Sequence, residues 1–235
     1  MAVLPEAAAI DRTAVAAIIP AYLEEKHVAE VVRRTLQQLP NVVVVDDGSS
    51  DATAAEARKA GAAVIVHEQN RGKGDSIKSG LRYWLDRGST YAIILDGDGQ
   101  HRPEEIDRFL AAAESTRARL LVGTRMNDVR EMPFVRRAVN RYMSQKISRA
   151  CGQEIPDTQC GFRMVHRDLI PHLLGGTERF DYETEMLILA SRAGCRIASV
   201  PISTVYSDEV SSIHPVRDTI RFFKLMRRYK KSRPT

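Results

Sequence analysis

The stretch Tyr91 to Glu104 reads YAIILDGDGQHRPE and constrains the chain more than any other. An apolar run of strand length, Tyr91 to Leu95, stops at two carboxylates, Asp96 and Asp98, separated by Gly97. Pro103 then stands where a helix can begin, because the first turn leaves its N–H groups unbonded in any case. A buried strand ending in Asp-Gly-Asp-Gly sets hard oxygen ligands at the carboxyl end of a sheet, where open α/β folds bind ligands. Two carboxylates so close repel unless a cation lies between them. Magnesium or manganese suits oxygen donors that are shared with phosphate.

The rest of the chain repeats a strand–helix rhythm. Val15 to Ile19 is a short apolar run stopped by Pro20, followed by a helical face of Val28, Val31, Val32, Leu36 and Leu39. Val42 to Val45 is β-branched throughout, as a strand buried on both faces would be. Ala63 to His67 and Leu120 to Thr124 read as further strands, and Arg196 to Pro201 as the last. Helices are expected over residues 104–114, within the basic segment 126–150, from Phe180 through Ala193, and as a basic amphipathic C-terminal helix over about residues 215–230. Alternating strands and helices predict an α/β fold with a mostly parallel central sheet flanked by helices. At 235 residues with 43% apolar content, one domain over the whole chain is expected.

Other acids and bases gather at the predicted strand ends. Val45 is followed by Asp46-Asp47-Gly48-Ser49-Ser50-Asp51, in which Ser49, Ser50 and Asp51 are N-cap candidates. Helix capping does not account for Asp46 and Asp47 at the strand tip, where a carboxylate can accept hydrogen bonds from a ribose or a base. Asn70-Arg71-Gly72-Lys73-Gly74 is either a plain tight turn or a backbone that approaches an anion closely. It is neither a Walker loop nor G-x-G-x-x-G, since no Ser or Thr follows Lys73 and Ile77 holds the third glycine position.

Net charge is +5, and the last fifteen residues are basic and acid-free. Such a tail suits a solvated end or an anionic membrane surface, and no motif supports a nucleic-acid partner. No apolar run is long enough to span a bilayer, and the first residues lack the order of a secretory signal. Three cysteines without a C-x-x-C pair read as reduced buried thiols, so a cytoplasmic protein is expected.

Gln100 and His101 rule out an EF-hand loop for the paired acids. Gln100 and the mid-chain position also argue against a haloacid-dehalogenase phosphatase. The blocks IIPAYLEE (18–25), VVDDGSSDAT (44–53), NRGKG (70–74), ILDGDGQHRPEE (94–105), GTR (123–125), DTQCGFR (157–163), FDYETEML (180–187) and VPI (200–202) stand in an order that resembles a family 2 glycosyltransferase of the GT-A, Rossmann-like fold. They are similar in particular to the dolichol- and polyprenyl-phosphate sugar transferases and their soluble bacterial relatives.

The resemblance implies an inverting transferase that takes a sugar from a UDP- or GDP-sugar to a polyprenyl phosphate or an envelope glycan. Pro20, Tyr22 and Glu24 would line the nucleotide pocket with Asp46 and Asp47, and Lys73 and Gly97 would lie near the donor. Asp96 and Asp98 would hold the metal on the diphosphate, with Gln100 a third ligand. Arg125 and Arg163 would face the acceptor or the phosphates. Glu183 is the first candidate for general base and Asp157 the second; a first-turn acid complementing the helix dipole is the plainer role for Glu183. Beyond VPI the sequence departs from the pattern with YSDEVSSIHP (206–215), where His214 is a further metal ligand or a structural histidine. The resemblance leaves two uses for the basic C-terminal helix, peripheral contact with the inner face of the cytoplasmic membrane or packing on the core. From another class, a non-catalytic nucleotide-sugar-binding subunit of a membrane complex has the same motifs.

Overall fold

The computed structural model describes residues 9–126, 134–175, 181–203, 222 and 225–229. The elements run β1 (Val15–Ala21), α1 (Val28–Leu36), β2 (Asn41–Asp46), α2 (Thr53–Lys59), β3 (Ala63–Val66), α3 (Lys73–Asp86) and β4 (Tyr91–Ile94). Then come α4 (Ile106–Thr116), β5 (Leu120–Thr124), α5 (Phe134–Cys151), β6 (Arg163–His166), α6 (Ile170–Leu173), α7 (Asp181–Arg192) and β7 (Ile197–Pro201). The seven strands form one sheet in the order β3-β2-β1-β4-β6-β5-β7. All pairs are parallel except those of β6, which runs antiparallel to both β4 and β5.

Why the sheet sits where it does follows from its sequence. Val42 to Val45 and Val15 to Ile19 are at most 4% exposed, as β-branched and small apolar residues on a strand covered from both sides must be. Strand β1 continues through Pro20 to Ala21, past the expected stop. The ladder with β4 ends at Ile18↔Ile94, while that with β2 reaches Ala21↔Asp46. Pro20 therefore stands on a stretch paired on one side only, where a missing N–H is tolerated.

Strand order reverses at β1, with β2 on one side and β4 on the other. This is the switch point at which open α/β sheets leave a crevice beyond their carboxyl ends. Tyr22 to Glu24 and Asp47 to Ser49 follow directly on the ends of β1 and β2, and Asp96 to Gln100 begin one residue past the end of β4, after Leu95. Strand β6, RMVH, is not expected from the sequence because it has only two apolar residues between an arginine and a histidine.

Most of the expected C-terminal helix, with His214, lies outside the described residues. Its described part, 225–229, is helical, and Phe222 and Leu225 are 4% and 5% exposed. Tyr229 donates its hydroxyl to Glu185 at 2.5 Å, and Arg192 donates to the Tyr229 carbonyl at 3.0 Å. The apolar side of this stretch is packed on the core. Among the described residues no helix is long and apolar enough to cross a membrane.

Candidate active site

Three charged side chains converge at the mouth of the crevice. Lys73, the first residue of α3, places its ammonium 2.7 Å from Asp96 Oδ1 and 3.1 Å from Glu183 Oε1. Those two oxygens are buried and accept no hydrogen bond of regular geometry, so the Lys73 ion pair is what balances them. The side chains are 15–23% exposed, enclosed yet reachable. Burial works against charge on both partners, but their attraction prevails. It raises the Lys73 ammonium and holds the Asp96 carboxyl down to about 2.

The backbone of Gly161 closes the floor between the two acids. A Cβ there would come within 2.9 Å of Asp96 Oδ2 and 3.0 Å of Glu183 Oε1, so a side chain at 161 would fill the space they share. His101 supports Asp96 from behind by accepting the Asp96 N–H on Nδ1 at 3.1 Å. Burial pushes the His101 imidazole below its ordinary value, which keeps the ring neutral with its proton on Nε2. Asp98 is half-buried and accepts the Gln100 N–H at 2.9 Å, which folds DGDGQ into a tight loop.

The β2 loop is built differently. Asp47 is 3% exposed and accepts from Arg71 N at 2.9 Å and Gly72 N at 2.7 Å, with His67 Nδ1 at 2.7 Å. It pins the segment that delivers Lys73. Asp46, 2% exposed, accepts from both the N–H and the hydroxyl of Ser49. Asp51 accepts the Thr53 N–H at 3.0 Å and so caps α2 from outside it. Gly48 has φ +72°, and a Cβ on it would lie 2.6 Å from the Gln69 backbone, so the two loops touch. At the end of β1, Tyr22 is 45% exposed and Leu23 takes a left-handed φ of 60°, held by Ser49 Oγ at 2.9 Å from its N–H. Such a backbone costs a non-glycine residue about 1–3 kcal/mol and is typical of ligand-facing rims. Glu24 is half-buried, its Cγ 3.6 Å from where a Gly97 Cβ would sit.

Two expectations are corrected. Arg163 does not face an acceptor: it is fully buried in β6, and its guanidinium donates to the carbonyls of Thr158, Cys160 and Glu183. It bolts the 158–162 turn to α7 because a planar five-donor fork satisfies several carbonyls at once. Asp157 is no free base. It accepts from Arg125 Nε at 2.8 Å and Nη2 at 3.0 Å, from Asn140 at 3.0 Å and from Gln159 N at 3.1 Å. Burial favours its neutral form, but the Arg125 bonds and charge outweigh that and lower its pKa. A carboxylate so engaged orients Arg125. His67, Asn140 and Gly161 were not anticipated, since nothing local marks a partner twenty residues away.

The donor set suits a hard cation. Asp96 and Asp98 offer carboxylate oxygens, and among the described residues no three His, Cys, Asp or Glu side chains form a closed cage. Magnesium and manganese sites that borrow ligands from phosphate use one or two carboxylates in this way. Gln100 is half-buried beside them.

A family model described as Glycosyl transferase family 2 matches residues 16–174. The chain belongs to glycosyl transferase family 2. The match takes in every site element from β1 to β6 and ends before Glu183. This glycosyltransferase is 30% identical over 214 residues to the UDP-N-acetylglucosamine–dolichyl-phosphate N-acetylglucosaminyltransferase of Methanococcus voltae, covering 81% of this chain and 85% of that protein. It is 28% identical over 200 residues to the polyprenol monophosphomannose synthase of Mycolicibacterium smegmatis, covering 79% and 75%. Among solved structures it is similar to Mycobacterium tuberculosis glucosyl-3-phosphoglycerate synthase with Mn2+, UDP-glucose and phosphoglyceric acid. There the TM-score is 0.65 at 16% identity, covering 93% of this chain and 78% of that one. That likeness identifies the GT-A fold.

Proposed function

We propose that the protein is an inverting, divalent-cation-dependent glycosyltransferase that moves a sugar from a UDP- or GDP-sugar to a polyprenyl phosphate or an envelope glycan. The observation that carries this is the Asp96–Lys73–Glu183 cluster at the switch point, two buried carboxylate oxygens balanced by one ammonium. The two named relatives are a dolichyl-phosphate N-acetylglucosaminyltransferase and a polyprenol monophosphomannose synthase, which supports the lipid-phosphate acceptor. The solved neighbour with Mn2+ and UDP-glucose supports the donor class and the metal.

Asp96 and Asp98 would hold the cation, with Gln100 beside them and His214 a further candidate ligand. When bound, the cation supplies charge stabilisation for the nucleoside diphosphate that leaves. Exposed Tyr22 and Leu23 and half-buried Glu24 would form the wall for the nucleotide, with Pro20 and Gly97 beside them. Asp46 and Asp47 set the loop geometry. Lys73, paired with Asp96 and Glu183 in the resting site, would pair with phosphate oxygens of a bound donor. Arg125, oriented by Asp157, faces the incoming acceptor. An acceptor phosphate is already ionised and needs no base; a hydroxyl acceptor would give its proton to Glu183, which opens onto the same space as Asp96.

The test is transfer of radiolabelled sugar from UDP- and GDP-sugars to a short-chain polyprenyl phosphate, with Mn2+ or with EDTA. Product with the anomeric configuration inverted, lost in EDTA and in Asp98→Ala, is the expected result. Nucleotide binding with no turnover on any donor would instead make the chain a binding subunit.

A further inference from the structure

Helix α5 is 18 residues long and contains no Asp or Glu. Its inner stripe is Asn140, Ser144, Ile147 and Cys151, all buried, with Asn140 bonded to Asp157 and Ser144 to Thr158. The outer side carries Arg137, Arg141 and Arg149, all exposed, and half-buried Lys146. Among these cations stand two large apolar side chains left in water, Val139 at 49% and Tyr142 at 47% exposed. The Lys146 ammonium lies 5.3 Å from the Tyr142 ring centroid, so cation and aromatic are presented together.

A solvated surface helix normally mixes both charge signs along its face. One that lacks acid altogether and interleaves basic with apolar side chains fits a lipid headgroup layer. We propose that the outward face of α5 is the surface through which this enzyme rests on an anionic bilayer. The proposal rests on the reading of a lipid-phosphate acceptor and says where that lipid is met. The helix is well placed for it. Its inner Asn140 bonds the Asp157 that orients Arg125, so the docked face lies one layer of side chains from the candidate site. The described C-terminal stretch, by contrast, has Phe222 and Leu225 packed on the core. A nucleic acid would attract the same charges, but it offers an exposed valine nothing, whereas a bilayer offers hydrocarbon. With only two apolar residues among four cations, adhesion is shallow and led by charge.

The experiment is co-sedimentation of the full chain with vesicles of phosphatidylcholine alone, or with about a third phosphatidylglycerol, without polyprenyl phosphate or donor. Each Lys or Arg at an anionic surface contributes about fivefold in partitioning. Lys146→Glu with Arg149→Glu is therefore expected to lower binding to the anionic vesicles by about 25-fold or more. Binding is also expected to fade toward about 0.5 M salt. Tyr142→Trp is expected to shift its emission to the blue on adding anionic vesicles, against the buried Trp84 as background. Unchanged binding by the double variant, loss only when residues 222–235 are removed, or preference for an RNA homopolymer over vesicles would each overturn the proposal. Transfer to a water-soluble short-chain prenyl phosphate should survive in the double variant. If wild type binds vesicles but transfers nothing, the functional reading fails and the docking surface stands.

Discussion

Two pairs of buried carboxylates in this molecule look alike in sequence and differ in what surrounds them. Asp47 and Asp157 are filled: between them they accept from His67, Asn140, four backbone amides and the Arg125 guanidinium. Asp96 and Glu183 face one another across a single lysine, with an oxygen each that accepts no regular hydrogen bond. A carboxylate whose lone pairs are taken by the fold is architecture, because nothing can replace those donors without breaking backbone geometry. One whose counter-charge sits at the end of four methylenes can exchange that cation for another. The difference separates the groups that shape the crevice from those that act in it.

The comparison breaks most visibly at Asp96. Asp96→Asn removes the charge a cation would meet but keeps the shape, so transfer is expected to drop by about a thousandfold, as when a principal transition-state electrostatic contact is lost. Its melting temperature should stay close to that of wild type. Asp157→Asn is expected to behave the other way, since it takes away the carboxylate that holds a 13% exposed Arg125 in a bidentate pair. That should cost about 3–5 kcal/mol in chemical denaturation. A variant at 157 as stable as wild type would put Asp157 in the wrong class.

Lys73→Met sharpens the same contrast. Without the ammonium, Asp96 and Glu183 repel each other, and the metal-free protein should lose about 1–3 kcal/mol, the site being partly open to water. Millimolar Mn2+ should restore the loss, so the metal-induced rise in melting temperature is expected to be larger in the variant than in wild type. Equal rises would mean that lysine and cation do not share the carboxylates.

Much of this was legible in the chain. Val42 to Val45 and Tyr91 to Leu95 announce buried strands, and acids directly after them must lie at the sheet's carboxyl edge whatever the rest does. Role was harder to see than place. Arg163 follows a Gly-Phe pair like a ligand-facing arginine, yet it turns inward because the 158–162 turn leaves carbonyls that only a multidentate donor can satisfy. Asp47 and Asp157 owe their roles to His67 and Asn140, partners from other elements that no local pattern records. The antiparallel β6 was invisible for a simpler reason: RMVH has only two apolar residues between an arginine and a histidine, whereas β3 and β4, equally short, are apolar runs.

The smallest effect tests the support behind Asp96. Burial, only partly offset by the Asp96 charge, holds the His101 imidazole below its ordinary 6.5, while the unfolded chain titrates near that value. Between the two values the unfolded state binds the extra proton, so His101's contribution to stability is complete above 6.5 and falls as acidity rises through that window. Below the folded value the loss levels off. Each unit of separation is worth about 1.4 kcal/mol, and His166, also lowered by burial, adds a slope of its own. The informative quantity is thus the difference between wild type and His101→Asn, whose amide oxygen can take over the Asp96 N–H. In metal-free buffer that difference, wild type minus variant, should fall as the pH is lowered from about 7.5 to about 5.5. A difference that does not vary with pH would mean that His101 is as easily protonated in the fold as in the open chain, and that Asp96 is not backed by a neutral ring.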